Sequence, residues 1–229
     1  ILAGGEYTGV NELHLDPRNP DVMFAVKHQR LRNVAALMNG GPESGIWKSV
    51  DGGDTWRELT EGLPEEDMGK IGLAISPINP DVVYAMIETG APNRGVLWRS
   101  SDGGENWTLV SYDRLLNERS HYAGRILVNP ADENEIYFNA NSHSISYDGG
   151  YTTERSGWGG DTHDMWADPL MPDRMMISDD GGANLTFNRG KTWERSYDDF
   201  DRLITVETPL GHYTSLVLDK NGNATEIKG

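Results

Sequence analysis

The chain has no cysteine, so disulfides play no part in holding it together. No stretch approaches the roughly 20 apolar residues of a membrane span, so membrane insertion is not expected. Basic residues are the minority, 20 against 36 acidic ones, for a formal net charge of −16. A surface of that sign repels phosphates, which argues against nucleic acid and against an anionic lipid surface as partners. It leaves open an anionic ligand held by a local basic site. Long amphipathic patterns are missing too; only 33–38 and 113–116 look helical. Turn and strand material is plentiful instead, with 27 Gly, 7 Trp and 9 Tyr in 229 residues, a length that can bury a substantial core.

Four octets are nearly the same. They are Ser49-Val50-Asp51-Gly52-Gly53-Asp54-Thr55-Trp56, Ser100-Ser101-Asp102-Gly103-Gly104-Glu105-Asn106-Trp107, Ser146-Tyr147-Asp148-Gly149-Gly150-Tyr151-Thr152-Thr153 and Thr186-Phe187-Asn188-Arg189-Gly190-Lys191-Thr192-Trp193. The pattern resembles the Asp-box, or BNR repeat. As physics it reads as a tight hairpin: the Asp accepts from backbone N–H groups just ahead, the Gly takes a backbone conformation a side chain resists, and the Trp plugs the core. Each part has a structural job, so the octets are expected to hold up a fold and do no chemistry.

A second repeat runs in phase with the first. Asp16-Pro17-Arg18-Asn19-Pro20-Asp21 is echoed by Ser76-Pro77-Ile78-Asn79-Pro80-Asp81, and more weakly at 129–134 and 168–173. Each turn is preceded by a short apolar stretch and followed by a β-rich one, such as Val82-Val83-Tyr84-Ala85-Met86. Each unit therefore reads strand, Asn-Pro turn, strand, loop, strand, box, strand. The expected fold is all-β, a single β-propeller of four-stranded antiparallel blades with Asp-box hairpins. Units fall at about 8–62, 68–112, 122–157 and 161–197, with 198–229 as closing strands or a partial fifth blade. The abrupt start at Ile1 and the low blade number suggest a fragment of a larger ring or a partner chain that completes it. The segment Glu6–Val10 is expected to pair with the last strands.

In a propeller the first strand of each blade lines the channel, and its start faces one rim. Aligning the units on their Asn-Pro turns gathers Glu12, Lys70, Arg125, Asp161, His163 and Asp164 around one opening. Such a mix suits a polar ligand, and the carboxylates Asp161, Asp164 and Glu12 are candidates for acid–base work. His163, flanked by acids, is general-base or metal-ligand material, and the more ordinary reading is a side chain packed on the channel wall that hydrogen-bonds a neighbouring blade. His28 and Arg30 lie in a basic segment of an otherwise acidic chain, on the longest loop, roughly 27–44. No dense His/Asp cluster is present, so no metal is assigned, and no cofactor. The runs Asp198-Asp199-Phe200-Asp201 and Asp219-Lys220-Asn221-Gly222-Asn223 read as a solvated acidic cluster and a plain hairpin.

Segments such as Pro42-Glu43-Ser44-Gly45-Ile46-Trp47-Lys48-Ser49 and Gly69-Lys70-Ile71-Gly72-Leu73-Ala74 resemble the large bacterial "glycosyl hydrolase, BNR repeat" proteins, relatives of sortilin-like propellers and xyloglucanase-like hydrolases. The resemblance covers residues 1 to about 196. It implies a secreted protein, extracellular or periplasmic, that binds a protein segment or a glycan at the channel mouth, with glycoside hydrolysis as the alternative. Sialidases share the box, but their Arg-Ile-Pro motif is absent and their arginine triad cannot be assembled here. The xyloglucanase-like proteins use two Asp across a cleft between two propellers, and one propeller supplies only half of that.

Overall fold

The computed structural model describes residues 2–90, 94–120, 122, 124–180 and 182–193, with the strands at 205–207, 213–218 and 224–228. It is a four-bladed β-propeller of antiparallel sheets, with no α-helix among the described residues. The first blade comprises β1 (Thr8–Asp16), β2 (Asn19–Arg32), β4 (Gly45–Ser49) and β5 (Arg57–Leu59), while β3 (Leu37–Asn39) pairs with the far end of β2. The second is β6 (Met68–Ile75), β7 (Val83–Thr89), β8 (Leu97–Ser100) and β9 (Thr108–Ser111). The third is β10 (Arg125–Asn129), β11 (Asp132–Asn139), β12 (Ser142–Ser146) and β13 (Glu154–Gly160). The fourth holds β14 (Asp164–Ala167), β15 (Met175–Asp179) and β16 (Gly182–Thr186). A further sheet joins β17 (Thr205–Glu207), β18 (Tyr213–Leu218) and β19 (Ala224–Lys228).

Period-two alternation makes the blades stack. On β7, Val83, Ala85 and Ile87 face the first blade with Phe24, Val26 and Ile46, while Tyr84 and Met86 face the third with Ile136 and Phe138. The third and fourth blades share Tyr137, Ile145, Met165, Met175 and Ile177. Trp107 is buried among first-blade side chains and Trp193 among third-blade ones. Trp107 and Trp193 thus seal their blades against the preceding ones. Trp56 has no preceding blade among the described residues and stays half-buried. The outward face of β1 is likewise open, with Leu13 and Leu15 exposed, and so are Trp166 and Met176 of the fourth blade.

The octets fold as their chemistry demands. Asp51 accepts from the Ser49 hydroxyl at 2.7 Å, the Thr55 N–H at 2.9 Å and the Thr55 hydroxyl at 2.5 Å, and the Trp56 indole donates to the Gly53 carbonyl at 2.9 Å. Asp102 and Asp148 repeat this pattern, and Asn188 stands in for the Asp in the fourth octet. Gly52 and Gly53 sit at φ +71° and +91°, a region open to glycine at little cost.

Three expectations need correction. Among the described residues Glu6–Val10 does not pair with the last strands: Thr8, Gly9 and Val10 pair with Gln29, His28 and Lys27 of β2, and the Tyr7 carbonyl accepts from the Arg30 N–H at 2.7 Å. The stretch 27–44 is not a plain loop, because β2 runs on to Arg32 and pairs with β3. The helix-like 33–38 is the tip and returning strand of that hairpin, its turn held by the Asn33 side chain accepting from the N–H groups of Ala35 and Ala36. The helical reading at 113–116 survives as a short 3-10 turn, Arg114–Asn117, capped by Asp113. The acidic run 198–201 and the turn at 221–222 lie outside the described residues.

Candidate ligand site at the channel mouth

The Asn-Pro register carries through to the structure. Arg125 and Asp164 open their inner strands, Glu12 lies within β1, and Lys70 is near the start of β6. The four side chains do not share one environment. Glu12 is nearly buried; it accepts from the Leu73 N–H at 2.9 Å and meets His14 Nε2 at 3.1 Å. It ties the first blade to the second instead of facing solvent. Arg125 and Asp164 are well exposed and 3.8 Å apart, the loosest kind of ion pair.

Lys70 reaches the Tyr122 carbonyl at 3.4 Å. Burial pushes its pKa down; Glu12 opposes that, and the charges of Arg125 and Arg30 push the same way as burial. His28, on the face of β2 turned to the second blade, is buried and held down at a pKa of about 4, chiefly by desolvation and then by Lys70 and Arg30. Asn39 beside it engages Glu88, which also accepts weakly from the Lys70 N–H at 3.3 Å. So Lys70, Arg125, His28 and Arg30 do converge, joined by Glu88 and Asn39.

The fourth-blade side of the mouth is acidic. His163 does not use the acids flanking it in sequence; its Nε2 lies 2.7 Å from Asp180 Oδ1, and its N–H donates to the Ser178 carbonyl. Asp161 is held by Arg119, whose Nη1 donates to both carboxylate oxygens at 3.0 and 3.2 Å. Both Arg119 and Asp161 sit at φ +52°, left-handed backbone that is rare for residues other than glycine and that clusters at functional sites.

The β2–β3 hairpin overhangs this region. Arg32 lies over the Tyr122 ring, 4.8 Å from its centroid, and donates to the Tyr122 hydroxyl. A cleft of about 320 Å³, lined by Glu88, Thr89, Arg114, Asn117, Arg119 and Ser120, lies alongside. Asn117 Oδ1 in its wall is buried with no partner among the described residues.

Sequence reasoning missed Arg119, Asp180 and Glu88. Asp180 was within reach of a register argument, since Asp164 pairs with Ser178 across the hairpin. Arg119 carries no local signal, its partner being 42 residues away. Among the described residues no group of three or more His, Asp or Glu comes together to hold a metal ion. The exposed ion pairs can exchange partners with a polar ligand, whereas Glu12 is committed to backbone.

No family model matches the chain. It is 31% identical over 147 residues to a xyloglucanase of Hypocrea jecorina (strain QM6a), a match covering 58% of this chain and 17% of that protein. A second xyloglucanase, from Paenibacillus sp., is 31% identical over 108 residues, 43% of this chain and 10% of its own length. The chain therefore spans a small part of the curated relatives it matches. Among solved structures, an ancestral GH74 enzyme aligns with 90% of this chain and 27% of its own, at TM-score 0.54 and 16% identity. YCF48 bound to D1 peptide aligns with 97% of this chain and 69% of its own, at TM-score 0.54 and 14% identity. At such identities these structures show the propeller fold.

Proposed function

We propose that this propeller is a binding module, working outside the cytoplasm, that takes a glycan or a protein segment at the channel mouth. The observation that carries the reading is the ring of exposed, exchangeable polar pairs there: the ion pairs of Arg125 with Asp164 and of Arg119 with Asp161, and the hydrogen-bonded pair of His163 with Asp180. Pairs in water are worth little to the fold, so a ligand can replace one partner at small cost. The neighbouring cleft and the overhanging hairpin give room and a wall. The YCF48 structure holds a peptide on a similar propeller, which supports a protein segment. The partial xyloglucanase matches support a glycan.

Those matches also favour a second reading, a polysaccharide hydrolase using Asp161 or Asp164 with a second carboxylate. The engagement of Glu12 with the Leu73 N–H weighs against Glu12 as that second group. A glycan array and a pull-down on the same sample test the binding reading. His163→Ala and Arg125→Ala should each weaken whatever is captured while leaving the melting temperature close to the parent's. Capture unchanged in both variants sinks the site. Release of reducing sugar from xyloglucan, lost in Asp164→Asn, moves the conclusion to hydrolysis.

A further inference from the structure

Lys48 and Arg99 hold the same place in the repeat, one residue before the box, and Arg57 and Thr108 the same place just after it. Each pair meets across its hairpin, Lys48 opposite Arg57 on the first blade and Arg99 opposite Thr108 on the second. The sixth residue of the next box comes down on that pair. Between the first and second blades it is Glu105. Lys48 Nζ donates to Glu105 at 2.8 Å and to the Gly103 carbonyl at 2.7 Å, and Arg57 donates to both Glu105 oxygens. A carboxylate held between two cations fills the space where these two hairpins meet.

Between the second and third blades that clamp is gone. Tyr151 stands in the place of Glu105, and Thr108 in that of Arg57. Arg99 is spent on the Tyr84 hydroxyl at 3.1 Å, the Ser101 hydroxyl at 2.8 Å and Glu133 of the third blade at 3.5 Å. What is left is a groove of about 270 Å³, lined by Arg99, Asp102, Asn106, Thr108, Val110 and Tyr151. Tyr151 is 69% exposed. A ring left so open beside a groove is a wall for an apolar ligand face. Its backbone is held in place: Gly150 lies so tightly on the second blade that a Cβ would fall 2.3 Å from the Leu97 side chain. The groove is therefore built before any ligand arrives.

The charges in the groove are already matched, which narrows the ligand. Asp102 accepts from the Ser100 hydroxyl and from the backbone and side-chain N–H groups of Asn106. Arg99 faces Glu133. The groups that remain are neutral: the Thr108 hydroxyl, the Asn106 amide oxygen and the Tyr151 hydroxyl have no hydrogen-bond partner among the described residues. An aromatic face flanked by hydroxyl and amide groups asks for a ligand with an apolar face and a polar edge, and for no charge. A sugar ring has that make-up, with C–H groups on one face and hydroxyls around its edge.

We propose that the groove between the second and third box hairpins is a second binding site, on the outer edge of the propeller, for a neutral oligosaccharide with one sugar ring laid on Tyr151. It needs nothing from the channel mouth. The probes are cellohexaose, xylohexaose and mannohexaose, with a neutral glycine–serine–tyrosine peptide as the protein counterpart. Amide chemical shifts of the labelled chain are followed up to about 10 mM of each probe, which reaches weak, millimolar binding. At least one of the three sugars should move the signals of Ser101, Asn106, Thr108 and Tyr151. Tyr151→Ala should weaken that sugar about fivefold or more, through the lost ring contact. Thr108→Arg combined with Tyr151→Glu restores the groups of the first groove, and should abolish binding in a protein that melts like the parent. Tyr7→Ala, which removes an exposed tyrosine beside the first blade, should leave binding unchanged. Three sugars without effect on those signals, undiminished binding in the Tyr151→Ala variant, or tighter binding of the peptide overturns the proposal. Shifts confined to the channel mouth overturn it too and leave the rim reading standing.

Discussion

Ser100→Ala isolates what a box contributes to the fold. Ser100 is 1% exposed, and its hydroxyl does three things: it accepts the Gly104 N–H at 2.8 Å in a buried setting, accepts the Asp102 N–H weakly at 3.3 Å, and donates to the Asp102 carboxylate at 2.7 Å. Gly104 is wedged at φ +86° against Phe24 of the first blade, where an added Cβ would come within 2.8 Å of the ring. It cannot turn its N–H to water without disturbing the core between the blades. Asp102 keeps two donors from Asn106, at 2.9 and 2.7 Å, so its share of the loss is small. The dominant cost is one buried unsatisfied N–H, about 2 kcal/mol. For a chain of this size that lowers Tm by about 4–8 °C. Urea denaturation followed by tryptophan fluorescence should show an earlier midpoint with the slope unchanged. Ser101→Ala is the control, since Ser101 is exposed and its hydroxyl only receives Arg99 at 2.8 Å. It should stay within about 0.5 kcal/mol of the parent. A Ser100→Ala protein as stable as that control refutes the argument.

Gly62, at φ +80°, lies so close to the second blade that a Cβ would fall 2.0 Å from the Trp107 carbonyl oxygen, and Gly62→Ala should cost more than about 3 kcal/mol. A loss under about 1 kcal/mol in the same assay would mean the contact yields easily. His28 and His143 are buried bases held near a pKa of about 4, below the unfolded value, so the unfolded chain takes up their protons first as pH falls. Stability should therefore drop between about pH 6.5 and 4, with each histidine adding up to about 1.4 kcal/mol per pH unit to the slope. His143→Gln should remove its share, and an unchanged slope would contradict the assignment. Asp102 is held at a pKa of about 2, first by the Asn106 donors, so its stabilisation is full above the ordinary carboxylate range and disappears as pH falls from about 4 to 2. Asp102→Asn should flatten that part of an acid titration followed by circular dichroism, and an equally steep fall in the variant would refute it.

The blades were legible in the sequence because their determinants are local. In a box, the Asp, its donors and the tryptophan lie within eight residues, and the Asn-Pro turns mark where each inner strand ends. The same register brought Lys70, Arg125 and Asp164 to one rim. What it could not supply was partner choice. His163 sits between two acids in sequence and pairs with neither, because strand geometry turns it toward Asp180. Arg119 and Asp161 come from loops of two blades and meet only after both adopt left-handed backbone. The β2–β3 hairpin was hidden for a similar reason. Its Ala-rich tip favours helix locally, and the anchor that overrides this, Arg32 on Tyr122, joins residues 90 positions apart.

Propellers vary by gaining and losing whole blades, and that is easy when each blade touches only the one before and the one after. The hairpin reaching from the first blade to Tyr122 breaks this independence. A blade inserted after the second would carry Tyr122 out of reach of Arg32 and leave the overhang without its anchor. A blade inserted there therefore forfeits this one exposed contact, about 0.5–1 kcal/mol, whereas a blade added beyond the third leaves it intact.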